Sequence, residues 1–235
     1  LSPVALRHDL TGPLSHLQPG GVPFELRIHR RYNPEGLSRY NIVPGLIGTI
    51  LTMTMVMLTG LAMTRERERG TMENLLATPV RPSEVMVGKI LPYVVMGYIQ
   101  LAVILLAAFA LFQVPMEGSM LLLMAMIGVF IIANLAVGFT FSTIARNQLQ
   151  AMQMTFFFFL PSMLLSGFMF PFRAMPVWAQ RVGEVLPLTH FLRIVRGILL
   201  KGNSAPQVLG ELWPMLAFMT VVSVVALKRY RQTLD

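Results

Sequence analysis

Five uncharged, largely apolar runs constrain the fold of this chain more than any other feature. An α-helix rises about 1.5 Å per residue, so about 20 apolar residues cross the ~30 Å hydrocarbon core of a bilayer. Because lipid offers the backbone no hydrogen-bond partners, such runs must be helical. The sequence therefore predicts an all-α membrane protein, a polytopic bundle of five transmembrane helices. The runs cover residues 42–64, 90–114, 119–144, 149–170 and 212–227, the last being short for a crossing.

Composition supports this class of protein. Of the residues, 54% are hydrophobic and 13% are charged, and the mean hydropathy is +0.63, which excludes a disordered chain. The 19 Lys and Arg outnumber the 11 Asp and Glu. The basic residues lie at the ends of the apolar runs, where lipid headgroups attract them, so we expect no nucleic-acid partner. The chain has no cysteine, which excludes disulfides and thiolate metal sites.

Prolines and the first 40 residues give further expectations. Pro44, Pro92 and Pro214 fit the starts of helices, whereas Pro161 falls within its run and predicts a kink. Residues 1–40 are polar and rich in Pro and Gly, and they begin without an initiator Met or a signal-peptide pattern. Residues 22–32 partly alternate, which predicts a strand. We therefore expect residues 1–40 to be the C-terminal remnant of a larger polar domain, followed by a membrane domain at 41–235.

The distribution of positive charge predicts the orientation. Short flanks and the C-terminus carry more Lys and Arg on one side, which is typical of the cytoplasmic face. The bias is moderate, because the long 171–211 segment is also basic. We expect the 65–89 segment and the C-terminus to be cytoplasmic. The residues that support this side are Arg65, Arg67, Arg69, Arg81, Lys89, Arg146, Lys228, Arg229 and Arg231.

The segment between the first two runs is charged and then amphipathic. Thr71 can cap a short helix in which Met72, Leu75 and Leu76 share one face. A second helix is predicted to begin at Ser83 and to continue into the next run. The pattern fits either a helix that rests on lipid headgroups or one that binds a partner protein. Its acidic residues either hold basic residues of that partner or orient the loop internally.

Chemistry-bearing motifs are missing from the sequence. The interiors of the five predicted runs contain no ionisable residue of the kind that proton- or ion-coupled carriers use. Gly88-Lys89 lacks the spacing of a phosphate loop, and no metalloprotease or nucleophile motif is present. The sequence therefore predicts a protein that is not an enzyme. Energy must come from another subunit, or the protein is passive.

A second amphipathic stretch lies near the end of the chain. From Pro187 to Lys201, apolar residues follow helical spacing, with His190, Arg193 and Arg196 elsewhere around the helix. This helix either lies at the surface beside the mouths of the spans or forms a re-entrant element that closes an exit path. His190 is a lone histidine, so a metal site is not expected.

The order of several motifs resembles the type 2 ABC exporter permeases of the drug and multidrug export type. The motifs are ERERGTMENLLATP at 66–79 with Gly88-Lys89 and Pro92, YNPE at 32–35 leading to VPGLI at 43–47, LSGFMFP at 165–171, and LPLTHF at 186–191 with Arg196-Gly197. The resemblance implies six helices per subunit, and we therefore expect this chain to depart from the pattern by lacking the first helix and most of the extracytoplasmic domain. It also implies outer re-entrant helices within 171–211.

The resemblance further implies a bacterial inner-membrane permease that exports an amphiphilic substrate. ATP is bound by a separate ABC ATPase, so no cofactor is expected in this chain, and a second permease subunit completes the pathway. Membrane lipids and a periplasmic adaptor are further expected partners. The alternative is a passive channel or a scaffold whose loop binds a regulator. The expected ATPase-coupling residues are Glu66, Glu68, Gly70, Thr71, Glu73, Leu75, Leu76 and Pro79, and those of the outer re-entrant segment are Pro187, Thr189, Arg193 and Arg196.

Overall fold

The computed structural model describes residues 39–69 and 82–232, which form α-helices joined by short connections. A single 3-10 turn, Phe172–Ala174, precedes α5, and the described residues contain no strand. The strand predicted within 22–32 and the short helix predicted from Thr71 lie outside these ranges. The helices are α1 Arg39–Glu68, α2 Pro82–Ala110, α3 Met120–Ile144, α4 Gln148–Leu165, α5 Val177–Gly183, α6 Pro187–Lys201 and α7 Ala205–Gln232.

Four helices of the described part are long and apolar enough to cross a membrane. They contain the segments Ile42–Glu68, Gly88–Ala110, Met120–Ile144 and Ala205–Arg229. The prediction of a helical membrane bundle is therefore confirmed. The fifth predicted crossing, 149–170, corresponds to α4, an 18-residue helix with three glutamines in its first two turns. A crossing by α4 stays a prediction, because these amides lower its hydropathy.

The expectations about proline positions at helix starts are wrong. Pro44 is the sixth residue of α1, and Pro92 and Pro214 lie further inside α2 and α7, because those helices begin at Pro82 and Ala205. The last span is also longer than predicted. Gly202 ends α6 in a left-handed conformation with φ of 65°, which glycine adopts readily, and α7 begins three residues later. The longer span includes Glu211, so this candidate crossing does contain an ionisable residue.

Helix α3 lies at the centre of the bundle. It packs against α1, α2, α4, α6 and α7, and most of its residues are buried. At Gly138 an added Cβ would lie 2.5 Å from the Val56 carbonyl oxygen, so glycine permits the close approach of α1 to α3. Helices α2 and α7 instead expose apolar side chains, such as Leu106 and Val221. These outward faces suit contact with lipid.

Helix α6 has the boundaries that the sequence predicted, Pro187–Lys201. It is an inner element, however, because 11 of its residues are buried. The Phe191 ring stacks on Phe130 of α3 with 3.8 Å between centroids. Gly48 of α1 admits Leu188 and Phe191, since a Cβ at Gly48 would lie within 2.9 Å of both side chains. A re-entrant position for α6 stays a prediction.

Candidate functional site

The ends of four helices meet at one end of the bundle. Helix α1 ends at Glu68 and α2 begins at Pro82, while α3 and α4 are joined through residues 145–147. The contacts among these ends involve Glu66, Arg67, Glu68, Lys89, Ala145 and Gln148, which we call the corner cluster. Residues 70–81 connect α1 to α2, so the connection leaves α1 at this cluster and enters α2 at Pro82, seven residues before Lys89.

An ion pair joins α1 to α2 within the corner cluster. The Lys89 ammonium donates to the Glu66 carboxylate. The Lys89 side chain is only 15% exposed, whereas that of Glu66 is 37% exposed. Screening by solvent is therefore incomplete, and the pair is stronger than a fully exposed one. It joins the last turn of α1 to a position seven residues after the start of α2.

The same turn of α1 also contacts the α3–α4 corner. Arg67 Nη1 donates to the Ala145 carbonyl oxygen over 3.3 Å, just beyond the end of α3. The Glu68 carboxylate accepts from the Gln148 backbone N–H at 2.9 Å and from its Nε2 at 2.5 Å. Because Gln148 is the first residue of α4, this carboxylate lies at the positive end of the helix dipole. A shift of the end of α1 must therefore disturb α2, α3 and α4.

Two of the expected coupling residues, Glu66 and Glu68, lie together in the corner cluster. Both carboxylates are bound by side chains of the same protein, which favours internal orientation over direct contact with a partner for these two residues. The other six lie outside the described residues. They are Gly70, Thr71, Glu73, Leu75, Leu76 and Pro79.

A second group of charged residues joins α5, α6 and α7 at the opposite end of the bundle. It consists of Glu184, His190, Arg193 and Glu211, which we call the α5–α7 cluster. Arg193 binds Glu184 through two N–H···O contacts of 2.6 and 3.0 Å and reaches Glu211 at 3.3 Å. The guanidinium hydrogen bond holds the pKa of Glu184 below its usual range, and that of Arg193 is raised in return. Both groups therefore stay charged near neutral pH.

The α5–α7 cluster is far from the corner cluster. Gly48, which contacts α6, precedes Glu66 by 18 residues of α1, and this corresponds to about 27 Å along a helix. The expected residues of the outer segment lie around this end. Pro187 occupies the first turn of α6, and Thr189 Oγ1 donates to the Gly183 carbonyl oxygen at 2.6 Å, which closes the α5–α6 turn.

Arg193 and Arg196 both line a cavity of about 380 Å³ beside residues 166–172. Arg196 Nη1 donates to the Gly167 carbonyl oxygen at 3.3 Å, and burial lowers the pKa of this guanidinium. The Arg193 guanidinium lies 4.8 Å from the centre of the Phe172 ring. The four residues expected in the outer segment thus share one region. Pro187 and Thr189 stabilise the backbone at the start of α6, whereas the two arginines line the cavity.

Sequence reasoning missed several residues of both clusters. Arg67 and Gln148 gave no signal beyond their positions at the ends of apolar runs. His190 was considered only as a metal ligand, and Glu184 and Glu211 were not singled out. Glu184 and Glu211 lie 6 and 21 positions from His190. They belong to the end of α5 and to α7, so the spacing of residues along α6 gives no sign of these contacts.

Comparison with known proteins places the chain in a family. Residues 21–200 match the ABC-2 type transporter family. In Escherichia coli K12, the probable multidrug ABC transporter permease YbhR is 31% identical over 88% of this chain and 56% of its own length. The probable multidrug ABC transporter permease YbhS is 34% identical over 81% of this chain and 52% of its own length. The inner membrane transport permease YhhJ is 32% identical over 89% and 56%.

The chain thus spans about half the length of these relatives. The matched region contains the corner cluster and most of α6, and the helices found within it are those of a membrane bundle. The family match covers well over half of the chain, and the helical architecture agrees with it. This chain belongs to the ABC-2 type transporter family.

Proposed function

We propose that this chain is the membrane part of a permease subunit in an ATP-binding cassette exporter, driven by a separate ATPase. Family membership and four helices of membrane length support this proposal. The relatives YbhR and YbhS are themselves described as probable multidrug ABC transporter permeases. The proposed substrate is an amphiphile, which the complex moves across the bacterial inner membrane.

The corner cluster carries the mechanistic part of the proposal. Residues 66–79 act as the coupling segment: residues 70–79 contact the ATPase, while Glu66 and Glu68, at the end of α1, tie the segment to α2 and α4. Closure of the ATPase displaces the segment. The end of α1 is bound to α2, α3 and α4. Displacement of the segment therefore moves these helices together, and the change is not confined to the loop.

Further features of the proposal concern assembly and orientation. Two permease subunits form the pathway, with the corner cluster and the C-terminus on the cytoplasmic side. Helix α4 makes the fifth crossing, and α5 and α6 form the outer re-entrant region. Lipids cover the apolar faces of α2 and α7, and a periplasmic adaptor at the outer end is proposed from the resemblance alone.

The proposal is tested with charge changes in the full-length subunit, purified with its ATPase and reconstituted in lipid nanodiscs. If Glu73 holds a basic residue of the ATPase, Glu73→Lys places two positive charges together at the interface. This repulsion costs at least ~1.4 kcal/mol, so binding of the ATPase is expected to weaken by about tenfold or more. Glu66→Lys is expected to reduce coupled ATP hydrolysis, since it repels Lys89. Adding Lys89→Glu is expected to restore hydrolysis, because the restored pair is internal.

A matched control is Glu117→Lys, which changes an exposed carboxylate in the α2–α3 connection at the other end of the bundle. It is expected to leave complex formation and hydrolysis unchanged. The coupling role is wrong if Glu73→Lys and Glu66→Lys both retain the ATPase and its transport-coupled hydrolysis at the level of the unchanged protein.

A further inference from the structure

Helix α5 has an exposed apolar stripe along one side. Trp178, Val182 and Val185 are 67%, 46% and 65% exposed. They are four and three positions apart, and the Val185 N–H donates to the Val182 carbonyl oxygen at 3.1 Å, so the three side chains share one side of the coil. Ala179 and Gly183 of the same helix are buried. An exposed stripe of this kind is typical of a surface that contacts lipid or another protein.

Two exposed arginines accompany this stripe. Arg181 lies within α5, and Arg173 lies in the 3-10 turn that precedes it. Neither forms a hydrogen bond or an ion pair with another residue of the described ranges. Arg193 differs, because the carboxylates of Glu184 and Glu211 bind it. The charges of Arg173 and Arg181 are therefore exposed to the surroundings of the protein.

The two tryptophans of the chain lie near the same group of ion pairs. Trp178 is six positions before Glu184, which corresponds to about 9 Å along a helix. Trp213 is two positions after Glu211 in α7 and is also 67% exposed. Arg193 binds both carboxylates, at 2.6 and 3.3 Å, and so holds the end of α5 beside the first turns of α7. Both exposed indole rings therefore lie at the same end of the bundle.

The lipid–water interface is an environment that suits all of these features. Tryptophan is enriched there because its ring is apolar and its N–H is polar, and arginine binds phosphates through paired N–H groups. Trp213 lies on a helix of membrane length whose exposed side chains include Leu209 and Val221. Lipid that covers this face of α7 extends, at the same end of the bundle, to the stripe on α5.

We propose that α5 is an interfacial helix that binds phospholipid headgroups. Trp178, Val182 and Val185 lie at the boundary between acyl chains and headgroups, and Arg173 and Arg181 bind lipid phosphates. Since each exposed basic residue is attracted to an anionic surface, the site prefers anionic phospholipids to zwitterionic ones. Helix α6, which also has an amphipathic sequence, is buried in the bundle and does not take part.

The proposed position gives the neighbouring charges a polar environment. Glu211 lies within the candidate span Ala205–Arg229, and an ionisable residue in the hydrocarbon is costly. With Trp213 at the interface, Glu211 lies about 3 Å further toward the headgroups. Thr189 Oγ1 of α6 donates to the Gly183 carbonyl oxygen at 2.6 Å, so the lipid contacts of α5 also fix the depth at which α6 begins. The proposal goes beyond the coupling function and does not depend on it.

Fluorescence quenching measures the depth of α5. The chain has two tryptophans, so Trp213→Phe leaves Trp178 as its single indole. This variant is reconstituted in vesicles of phosphatidylcholine and phosphatidylglycerol that carry bromine either next to the headgroups or near the bilayer centre. Shallow bromine is expected to quench Trp178 at least about twofold more than deep bromine, because an interfacial helix buries its apolar face only about 5–10 Å. Acrylamide in the water is expected to quench Trp178 less than it quenches free tryptophan.

Charge variants test the headgroup contacts in the same single-tryptophan protein. With bromine next to the headgroups, phosphatidylglycerol is expected to quench Trp178 about twofold or more above phosphatidylcholine at the same mole fraction. Arg173→Gln combined with Arg181→Gln should abolish this difference. The matched control is Lys228→Gln with Arg229→Gln, which removes two charges from the other end of α7 and should retain the difference. All variants are checked for helix content and monodispersity.

Three results would overturn the proposal. Quenching of Trp178 by acrylamide as strongly as free tryptophan, with none by either brominated lipid, would show that this surface faces water or a protein. Stronger quenching by deep bromine would place α5 within the hydrocarbon. The third result is no preference for phosphatidylglycerol in the parent protein, or an unchanged preference without Arg173 and Arg181. The measurement uses no ATPase, so its outcome is independent of the coupling proposal.

Discussion

Single residues decide how closely the central helices approach each other. At Gly138 of α3, the hydrogen in place of a side chain leaves room for the backbone of α1, with the Val56 carbonyl oxygen 2.5 Å from the position of a Cβ. Gly210 of α7 differs, because no atom lies within 4 Å of its Cβ position. Two helical glycines in the same protein therefore have opposite structural roles.

Gly138→Val is expected to destabilise the bundle by about 1–3 kcal/mol or more, because the branched side chain forces α1 and α3 apart. Gly210→Ala is the matched control and is expected to be neutral or stabilising by up to about 1 kcal/mol, since alanine favours a helix. Equilibrium unfolding in mixed micelles measures both changes. Equal stability of Gly138→Val and the unchanged protein would contradict the close packing seen here.

Gly138 and Ser142 form a small-xxx-small pair, a sequence pattern that is typical of closely packed helices. The interactions of polar residues were less predictable. Asn134 Nδ2 donates to the Phe130 carbonyl oxygen of its own helix. Gln100 does bond across helices, accepting from Thr54 at 2.8 Å. Which neighbour an amide reaches depends on helix rotation, which the sequence specifies only through packing.

Individual helices were predicted with uneven success. The bounds of α6 followed from the spacing of its apolar residues, Pro187 at its start and Gly202 after its end. The last predicted run began at residue 212, whereas α7 begins at Ala205 and includes Glu211. The charge is accommodated inside the helix by His190 and Arg193, and those contacts come from tertiary structure. Contacts between residues 18 and 21 positions apart leave no signal in the apolar pattern of the run.

The start of α4 is stabilised by groups from two sources. Asn147 caps it, with Oδ1 accepting from the Gln150 N–H at 2.8 Å, and Glu68 binds the Gln148 N–H. Asn147→Ala is expected to cost about 1 kcal/mol of α4 stability. Amide exchange in the first turn should then be about fivefold faster, since ~1.4 kcal/mol corresponds to tenfold.

Asn147→Ser serves as the control, because serine retains a capping oxygen and should keep exchange within about twofold of the unchanged protein. Hydrogen–deuterium exchange followed by mass spectrometry of peptides covering 145–155 gives both values. The cap has no role in holding α4 if the alanine variant exchanges at the original rate, or if serine is as damaging as alanine.

The whole molecule is a helical bundle with polar clusters at its two ends. The sequence established the membrane class through its apolar runs, and the motif order established the family that the comparison confirms. The three-dimensional links between the ends of α1, α2, α3 and α4 were not predictable, because they join residues 23 to 80 positions apart. Those links are the physical basis for the proposal that movement of an ATPase enters the bundle at residues 66–79.

Site-specific photo-cross-linking to the ATPase tests this central claim most directly. A photoreactive amino acid is placed at Leu75, in the proposed coupling helix, or at Phe112, in the α2–α3 connection at the other end of the bundle. The full-length subunit is then irradiated in nanodiscs with its ATPase. We predict a covalent adduct with the ATPase from Leu75 and none from Phe112. An adduct from Phe112 with none from Leu75 would contradict the account.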